Sequence, residues 1–228
     1  MQETVLLFFT SFVFICMAGI SFATNPMEDS YPENLGNSFS GSENLPESLK
    51  KQPYVKLDSN GKELSDSAAE WTMVRDNFTD LVWEVKDSKD GVKDYSNLHD
   101  SDNIYGWYNS NPATNGGNPG LLWGKVNGED FINELNRTWF GGHDDWRLPT
   151  IQELFAIIEN RAPDPSIKKG YFPSTMPSGY WSSTTCALYP HSAWLVYFNG
   201  GEVEHDHKSY GHYLRAVRNS AKDQLKGE

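Results

Sequence analysis

The chain has 228 residues, of which 38% are apolar, 14% aromatic and 22% charged. This apolar content supports one domain with one sizeable core and argues against two large independent domains. Acidic residues number 31 against 19 basic ones, giving a formal net charge of -12. Because so acidic a chain is repelled by phosphate backbones, the composition excludes nucleic acid as a partner.

The amino terminus has the pattern of a secretory signal. Residues 5–23 form an apolar stretch without a charge, and Ser21 and Ala23 are the small residues expected just before a cleavage site. We therefore assign residues 1–23 to a signal peptide and expect an exported protein that is periplasmic, secreted or on the cell surface. No Lys or Arg precedes the stretch, so an uncleaved anchor is the alternative, and only then is membrane association expected.

The rest of the chain divides by composition. Residues 24–52 are polar, with scattered prolines, and bury too little apolar surface to offset the entropy of ordering, which predicts a flexible acidic linker. The folded domain is expected over residues 53–219, with a polar tail over residues 220–228.

The sequence of the first half of the domain predicts strands followed by a long loop. Residues 54–57 and 81–85 have strand composition. Residues 97–125 are rich in Asn and Gly, which predicts a long surface loop. We expect four rings to pin this loop, those of Tyr105, Trp107, Tyr108 and Trp123.

Two helices are predicted next. Residues 129–139 place apolar side chains at helical spacing. The second helix begins after Thr150, which forms a capping box with Glu153, and it is expected to end near Asn160 because prolines follow.

Strands dominate the remainder. Residues 179–185 are β-rich, and residues 193–198 and 202–207 flank an Asn-Gly-Gly turn that is typical of a hairpin. A last strand is expected over residues 213–217. The predicted fold class is α+β, with two helices and short, mainly antiparallel strands.

Four segments carry a family resemblance when taken together. They are Arg75-Asp76-Asn77 with Leu81-Val82-Trp83-Glu84, Asp145-Trp146-Arg147-Leu148-Pro149-Thr150, Tyr180-Trp181-Ser182-Ser183-Thr184, and Tyr213-Leu214-Arg215-Ala216-Val217-Arg218. Over about residues 54–218 the chain resembles the Lcl C-terminal domain family, named for the end of a Legionella collagen-like adhesin. The resemblance implies a C-type-lectin-like domain, a fold shared with sulfatase-modifying, formylglycine-generating proteins.

Three functions follow from the resemblance and the composition. The first is an exported, non-catalytic binding or adhesion-type domain that recognises a neutral glycan or a protein partner, since the acidity argues against sulfated glycans. The second is a structural subunit of a cell-envelope assembly. The third, an enzyme like the formylglycine-generating proteins, needs a thiol pair, and removal of Cys16 with the signal leaves Cys186 alone.

Ligand-binding candidates are rings flanked by polar groups, because rings stack on the apolar faces of sugars and amides bond to hydroxyls. In the long loop, Trp107 is the leading candidate and is expected to be exposed. The other five candidates are Tyr108, Asn109, Asn111, Tyr189 and His191.

Metal sites have weaker signals, and no obligatory cofactor is expected. On a strand, His205 and His207 point to one face, and His212 on the returning chain would complete a transition-metal site. The alternative is a polar hairpin tip. Calcium candidates are the oxygen-rich sets Asp100, Asp102 and Asn103, and Asp144 with Asp145.

Two further motifs are interpreted as scaffold. Arg147 is expected to pair with Asp145 or Glu153 beside the second helix. The hydroxyl run from Ser182 to Thr185 is typical of an exposed strand face, and it lacks the Gly-x-Ser-x-Gly elbow of a serine hydrolase.

Overall fold

A computed structural model of the protein describes residues 52–122, 127–159 and 165–220. The predicted signal peptide or anchor, nearly all of the linker, Trp123 and all but the first residue of the predicted tail lie outside the described residues. Within these ranges, no helix is long and apolar enough to cross a membrane.

The described residues contain nine β-strands, two α-helices and a short 3-10 helix at Phe140–Gly142. In chain order the elements are β1 (Tyr54–Leu57), β2 (Met73–Asp76), β3 (Leu81–Glu84), β4 (Tyr105–Gly106), α1 (Gly128–Arg137), α2 (Ile151–Ala156), β5 (Gly179–Thr185), β6 (Ser192–Tyr197), β7 (Glu202–His207), β8 (Gly211–His212) and β9 (Val217–Asn219).

The strands form three sheets in which all neighbouring strands are antiparallel. One sheet has the order β1-β2-β3-β9, the second pairs β4 with β8, and the third has the order β5-β6-β7. The predicted α+β class with two helices and short antiparallel strands is confirmed. The likeness to C-type lectins stays a prediction.

The helix starts follow the sequence signals. The Asn127 side chain accepts from the Asp130 N–H and begins α1. The capping box of Thr150 and Glu153 is present and begins α2 as predicted. However, α2 ends at Ala156 rather than near residue 160, since Ile158 forms a β-bridge with Ile167.

The predicted final strand at residues 213–217 is wrong. The chain leaves one sheet after β8 and enters another at β9, and the segment between them crosses the core. In that segment, Arg215 donates to the Glu84 carbonyl at 2.7 Å, and Leu214 and Ala216 are buried. Tyr213 forms an isolated bridge with Tyr180 of β5, and residues 214–216 form no strand although their composition is typical of one.

The core consists of rings and aliphatic side chains from both large sheets and α1. Four tryptophans are almost completely buried, and they are Trp83, Trp107, Trp146 and Trp181. Trp146 packs on Phe140 with ring centroids 5.1 Å apart, and its indole N–H donates to the Phe140 carbonyl. Burial of rings on this scale is the main favourable contribution to folding.

A buried carboxylate ties β3 to the segment before β9. Glu84 is fully buried and accepts from Lys86 Nζ and His99 Nδ1, each at 2.8 Å, and from the Ala216 N–H at 3.0 Å. Burial alone would raise the pKa of the Glu84 carboxyl, but Lys86 and His99 together hold that pKa at about 2. The carboxylate is therefore charged and fully partnered inside the core.

Candidate functional site

A groove of about 720 Å³ opens beside the long loop, and we call it the loop–strand groove. Its walls are residues 107–109, 113, 114 and 116 of the loop, the first turns of α1, the segment before α2 and the end of β5. Polar side chains that line the groove include those of Asn109, Thr114, Glu129, Arg147, Thr184 and Thr185.

The loop wall approaches β5 and Trp107 closely at two glycines. A Cβ on Gly116, which has φ +65°, would lie 2.7 Å from the Thr185 Cγ2. A Cβ on Gly120, which has φ +86°, would collide with the Trp107 carbonyl oxygen. Because only glycine combines positive φ with such close approach, these positions allow the loop to lie against the strand.

The prediction that Trp107 is an exposed stacking ring is wrong. Its side chain is only 1% exposed, although it forms part of the groove wall, and its indole N–H donates to the Ser182 carbonyl at 2.8 Å. The Asn-rich loop folds over the ring instead of presenting it to solvent. Trp107 is therefore a core residue that supports the groove.

The other ligand-binding candidates in the loop differ in their position relative to the groove. Tyr108 and Asn109 are half-buried and line the groove. The structure does not place Asn111 in the groove lining; its side-chain oxygen accepts from the Ala113 N–H at 3.0 Å and fixes a turn.

In the part of the chain that the structure describes, two charged side chains line the groove, and both already have protein partners. Arg147 binds Glu153 through a fork of two hydrogen bonds, each 2.7 Å long. Glu129 accepts from the Ser110 N–H at 3.0 Å and from the Ser110 hydroxyl at 2.5 Å. The prediction that Arg147 pairs with Asp145 or Glu153 is confirmed for Glu153.

The carboxyl of Glu153 is held in its charged form. Burial alone would raise its pKa, but the Arg147 guanidinium and the Thr150 N–H, which donates to it at 2.8 Å, hold that pKa below its usual value. The Arg147 fork is therefore a fixed structural pair beside the groove.

The hydroxyl run on β5 is more buried than expected. Ser182 is fully buried and donates to the Trp194 carbonyl at 2.7 Å, so the prediction of an exposed face is wrong there. Ser183, Thr184 and Thr185 are half-buried and line the groove. The Thr184 hydroxyl also accepts from the Ile151 N–H at 3.1 Å, which fixes its position.

The candidates Tyr189 and His191 lie outside the groove lining, in a separate cluster that we call the ring patch. It comprises Tyr189, His191, His205, His207 and Tyr210. Tyr189 lies 5.3 Å from His205, and His191 lies 5.2 Å from His207, measured between ring centroids. Tyr189 and Tyr210 are 43% and 58% exposed.

The predicted histidine metal site is wrong. His212 bonds to Asp206 at 3.0 Å, and Asp206 points to the face of β7 opposite His205 and His207, because side chains alternate along a strand. In the described parts of the chain, no group of three or more His, Cys, Asp or Glu side chains is arranged to hold a metal ion.

The two predicted calcium sites stay predictions, and polar groups of both sets take part in contacts within the protein. Asp100 accepts from the Asp102 N–H, and Asp102 accepts from the Asp90 and Gly91 N–H groups. The Asn103 amide donates to two loop carbonyls. In the second set, Asp145 binds Arg218 at 2.8 Å and Asp144 is exposed. The bonded carboxylate oxygens therefore fix turns and an ion pair.

Lys208 is a residue of the site that the sequence did not reveal. It is 1% exposed, and its ammonium donates to the Asn115 and Asn118 carbonyls and to the Thr185 hydroxyl. A single lysine at the end of a polar strand is normally a solvated residue. Lys208 differs from a solvated lysine because residues 115–118 lie next to it in the folded protein.

The family model described as the Lcl C-terminal domain matches residues 72–218. The chain belongs to the Lcl C-terminal domain family. No curated protein matches the sequence.

The predicted family is therefore confirmed, and it is one associated with an adhesin, which is compatible with a binding role. The loop–strand groove and the ring patch both fall within the matched part of this Lcl C-terminal domain.

Proposed function

We propose that the protein is an exported, non-catalytic binding module that takes a neutral glycan in the loop–strand groove. One observation carries the proposal. Among the described residues, the charged side chains that line the groove are Glu129 and Arg147, and they are satisfied by Ser110 and Glu153. An anionic ligand must compete with Glu153 for Arg147, whereas a neutral ligand leaves that pair intact.

The remaining polar lining suits a ligand that is rich in hydroxyl groups. Asn109 and Thr114 on the loop face the site together with the hydroxyls of Ser183, Thr184 and Thr185. Amides and hydroxyls both donate and accept hydrogen bonds, as sugar hydroxyls do. The Tyr108 ring and the apolar side chains of Ile132 and Leu148 offer surface for the apolar face of a sugar ring.

The proposal of export is supported by the signal-like sequence of residues 1–23. The net charge of -12 further favours a neutral ligand, since it repels sulfated or carboxylated chains. The thiol of Cys186 is buried, which disfavours the chemistry of a formylglycine-generating enzyme for this chain.

A second candidate function, a structural subunit of an envelope assembly, is favoured by the ring patch. Tyr189 and Tyr210 are exposed there, and Leu188 beside them is 54% exposed. Exposed apolar surface of this kind is common where proteins contact one another. If the protein is a structural subunit, its partner at the ring patch is an envelope or extracellular protein.

A blocking substitution in the groove tests the first function. Ala113 is exposed and lines the groove, so Ala113→Trp fills the site without disturbing the core. On an array of neutral and sulfated glycans, we expect the unchanged protein to bind neutral glycans, and Ala113→Trp to weaken that binding at least about tenfold by steric exclusion.

The matched control is Ala69→Trp, at an exposed position outside the groove, which should bind like the unchanged protein. Binding of sulfated glycans alone, or equal neutral-glycan binding by both variants, would contradict the proposal. Capture of an envelope protein without any glycan binding would favour the structural subunit instead.

A further inference from the structure

We infer that Lys208 is the positioning residue of the loop–strand groove: its buried ammonium holds residues 115–118 against β5, so that the groove is formed before a ligand arrives. The inference rests on the proposed function, because it takes this groove as the binding site.

The contacts of the ammonium join parts of the chain that lie far apart in sequence. Lys208 Nζ lies 3.0 Å from the Asn115 carbonyl and 2.6 Å from the Asn118 carbonyl, both on the loop. It also lies 3.1 Å from the Thr185 hydroxyl at the end of β5. One side chain thus connects the loop with β5 and with the end of β7.

The Lys208 ammonium also contacts the Trp107 ring. Lys208 Nζ lies 4.0 Å from the centre of the Trp107 ring, within the range of a cation–π interaction. Trp107 and Thr185 both line the groove, so Lys208 lies directly behind its wall. A change in the position of the ammonium therefore changes the wall itself.

The three acceptors are uncharged, so the ammonium has no carboxylate among its hydrogen-bond partners. Burial lowers the pKa of Lys208 to about 8, which shows that the fold carries a solvation cost at this position. Removing the side chain, however, leaves the Asn118 carbonyl and the Thr185 hydroxyl without this donor and leaves the Asn115 carbonyl with the Asn118 N–H alone, and unsatisfied buried acceptors are also costly. The loop is expected to open to hydrate them.

A preformed loop has a direct consequence for binding. Ordering a loop when the ligand binds subtracts from the affinity, and a loop that is already fixed avoids that loss. The loop amide Asn109 depends on the same structure, since its carbonyl accepts from the Asn115 side chain at 3.2 Å. Lys208 therefore acts on the ligand through Asn115 and Asn109 without touching it.

Hydrogen exchange of the full chain tests the inference without a ligand. In Lys208→Met, which keeps the unbranched stem of the side chain and removes the ammonium, we expect the amides of residues 109–120 to exchange at least about tenfold faster. Amides of β2 and β3 should keep their protection. Lys62→Met, at an exposed lysine, should behave like the unchanged protein throughout.

Chemical rescue separates the role of the ammonium from that of the side-chain bulk. In Lys208→Ala, millimolar n-propylammonium chloride should restore slow exchange of residues 109–120, while n-propanol at the same concentration should not. The neutral alcohol has similar size but lacks the three charged donors.

Unchanged loop exchange in Lys208→Met would overturn the inference, as would equal rescue by the alcohol and the ammonium. Loss of protection in β2 and β3 as well would also overturn it, because Lys208 would then support the whole domain. None of these results depends on which ligand binds. If the loop opens as expected but Ala113→Trp leaves glycan binding intact, only the proposed function fails.

Discussion

At the scale of single residues, burial separates supporting side chains from those that are free to meet a ligand. Trp107 and Tyr108 are neighbours in sequence, yet Trp107 is 1% exposed while Tyr108 is half-buried and lines the groove. Both stand in the same Asn-rich context. Local composition predicts that such a loop is ordered by rings, but it does not indicate which ring the loop covers.

The burial of Trp107 leads to a stability prediction. Trp107→Ala removes a fully buried ring and the hydrogen bond to the Ser182 carbonyl, and should lower the free energy of unfolding by about 3–5 kcal/mol. Trp139→Ala is the matched control, since Trp139 is 56% exposed, and it should change stability by about 0.5 kcal/mol or less. Urea denaturation measures both, and equal losses would contradict the account.

The contact between His212 and Asp206 decides whether three histidines could form the predicted metal site. The strand pattern correctly predicted that His205 and His207 share a face of β7, because that depends only on alternation. The position of His212 depends on how the chain returns through β8, and it pairs with Asp206 on the opposite face. Local periodicity does not contain this long-range information.

At the scale of elements, buried charges join strands that are distant in sequence. Glu84 at the end of β3 binds Lys86, His99 and the Ala216 N–H, and Arg215 donates to the Glu84 carbonyl. These contacts hold the crossing segment between β8 and β9 in the core. They explain why residues 214–216 are buried without forming the predicted strand.

This network predicts an acid-sensitive fold. The pKa of Glu84 in the folded protein is about 2, below the ordinary value of 4.5, so its charged form stabilises the fold above pH 4.5. That contribution, on the order of a few kcal/mol, is lost as the pH falls from about 4.5 to 2, because the unfolded chain takes up the proton first.

Urea denaturation at pH 6 and pH 3 measures the loss. Glu84→Gln should be less stable at pH 6, since it leaves buried cations without their carboxylate, and its stability should fall less between the two pH values. Glu63→Gln, at an exposed carboxylate, is the control and should keep the full loss. An identical pH dependence in Glu84→Gln would contradict the role of Glu84.

Predictions from the sequence succeeded where the signal is local. The capping box at Thr150 and Glu153 depends on residues three apart, and it is present in the structure. The hairpin of β6 and β7 follows from the turn between them. In contrast, β4 has only two residues and pairs with β8 more than a hundred residues later, so no local pattern could indicate it.

The groove could be predicted only in part for the same reason. Tyr108 and Asn109 came from the composition of the loop, and both line the groove. The residues that make it a site, Thr185 and Lys208, lie on β5 and after β7. The contact of Thr185 and Lys208 with the loop depends on the tertiary fold, so the sequence of either segment alone does not predict it.

At the scale of the whole molecule, two surfaces with different chemistry lie within one domain. The groove has paired charges and exposes amides and hydroxyls, whereas the ring patch exposes aromatic rings beside Leu188. We propose the groove for a neutral, hydroxyl-rich ligand and the ring patch for contact with another protein.

The most direct test of the central claim is an NMR titration of the isotope-labelled protein with a neutral glycan identified on the array. We expect the backbone shifts to change chiefly at four residues, Asn109, Thr114, Thr184 and Thr185. We also expect the affinity to be nearly independent of sodium chloride between 50 and 500 mM, a range chosen because the Debye length changes about threefold across it. Shifts confined to Tyr189 and Tyr210, or an affinity that falls steeply with salt, would contradict the central claim.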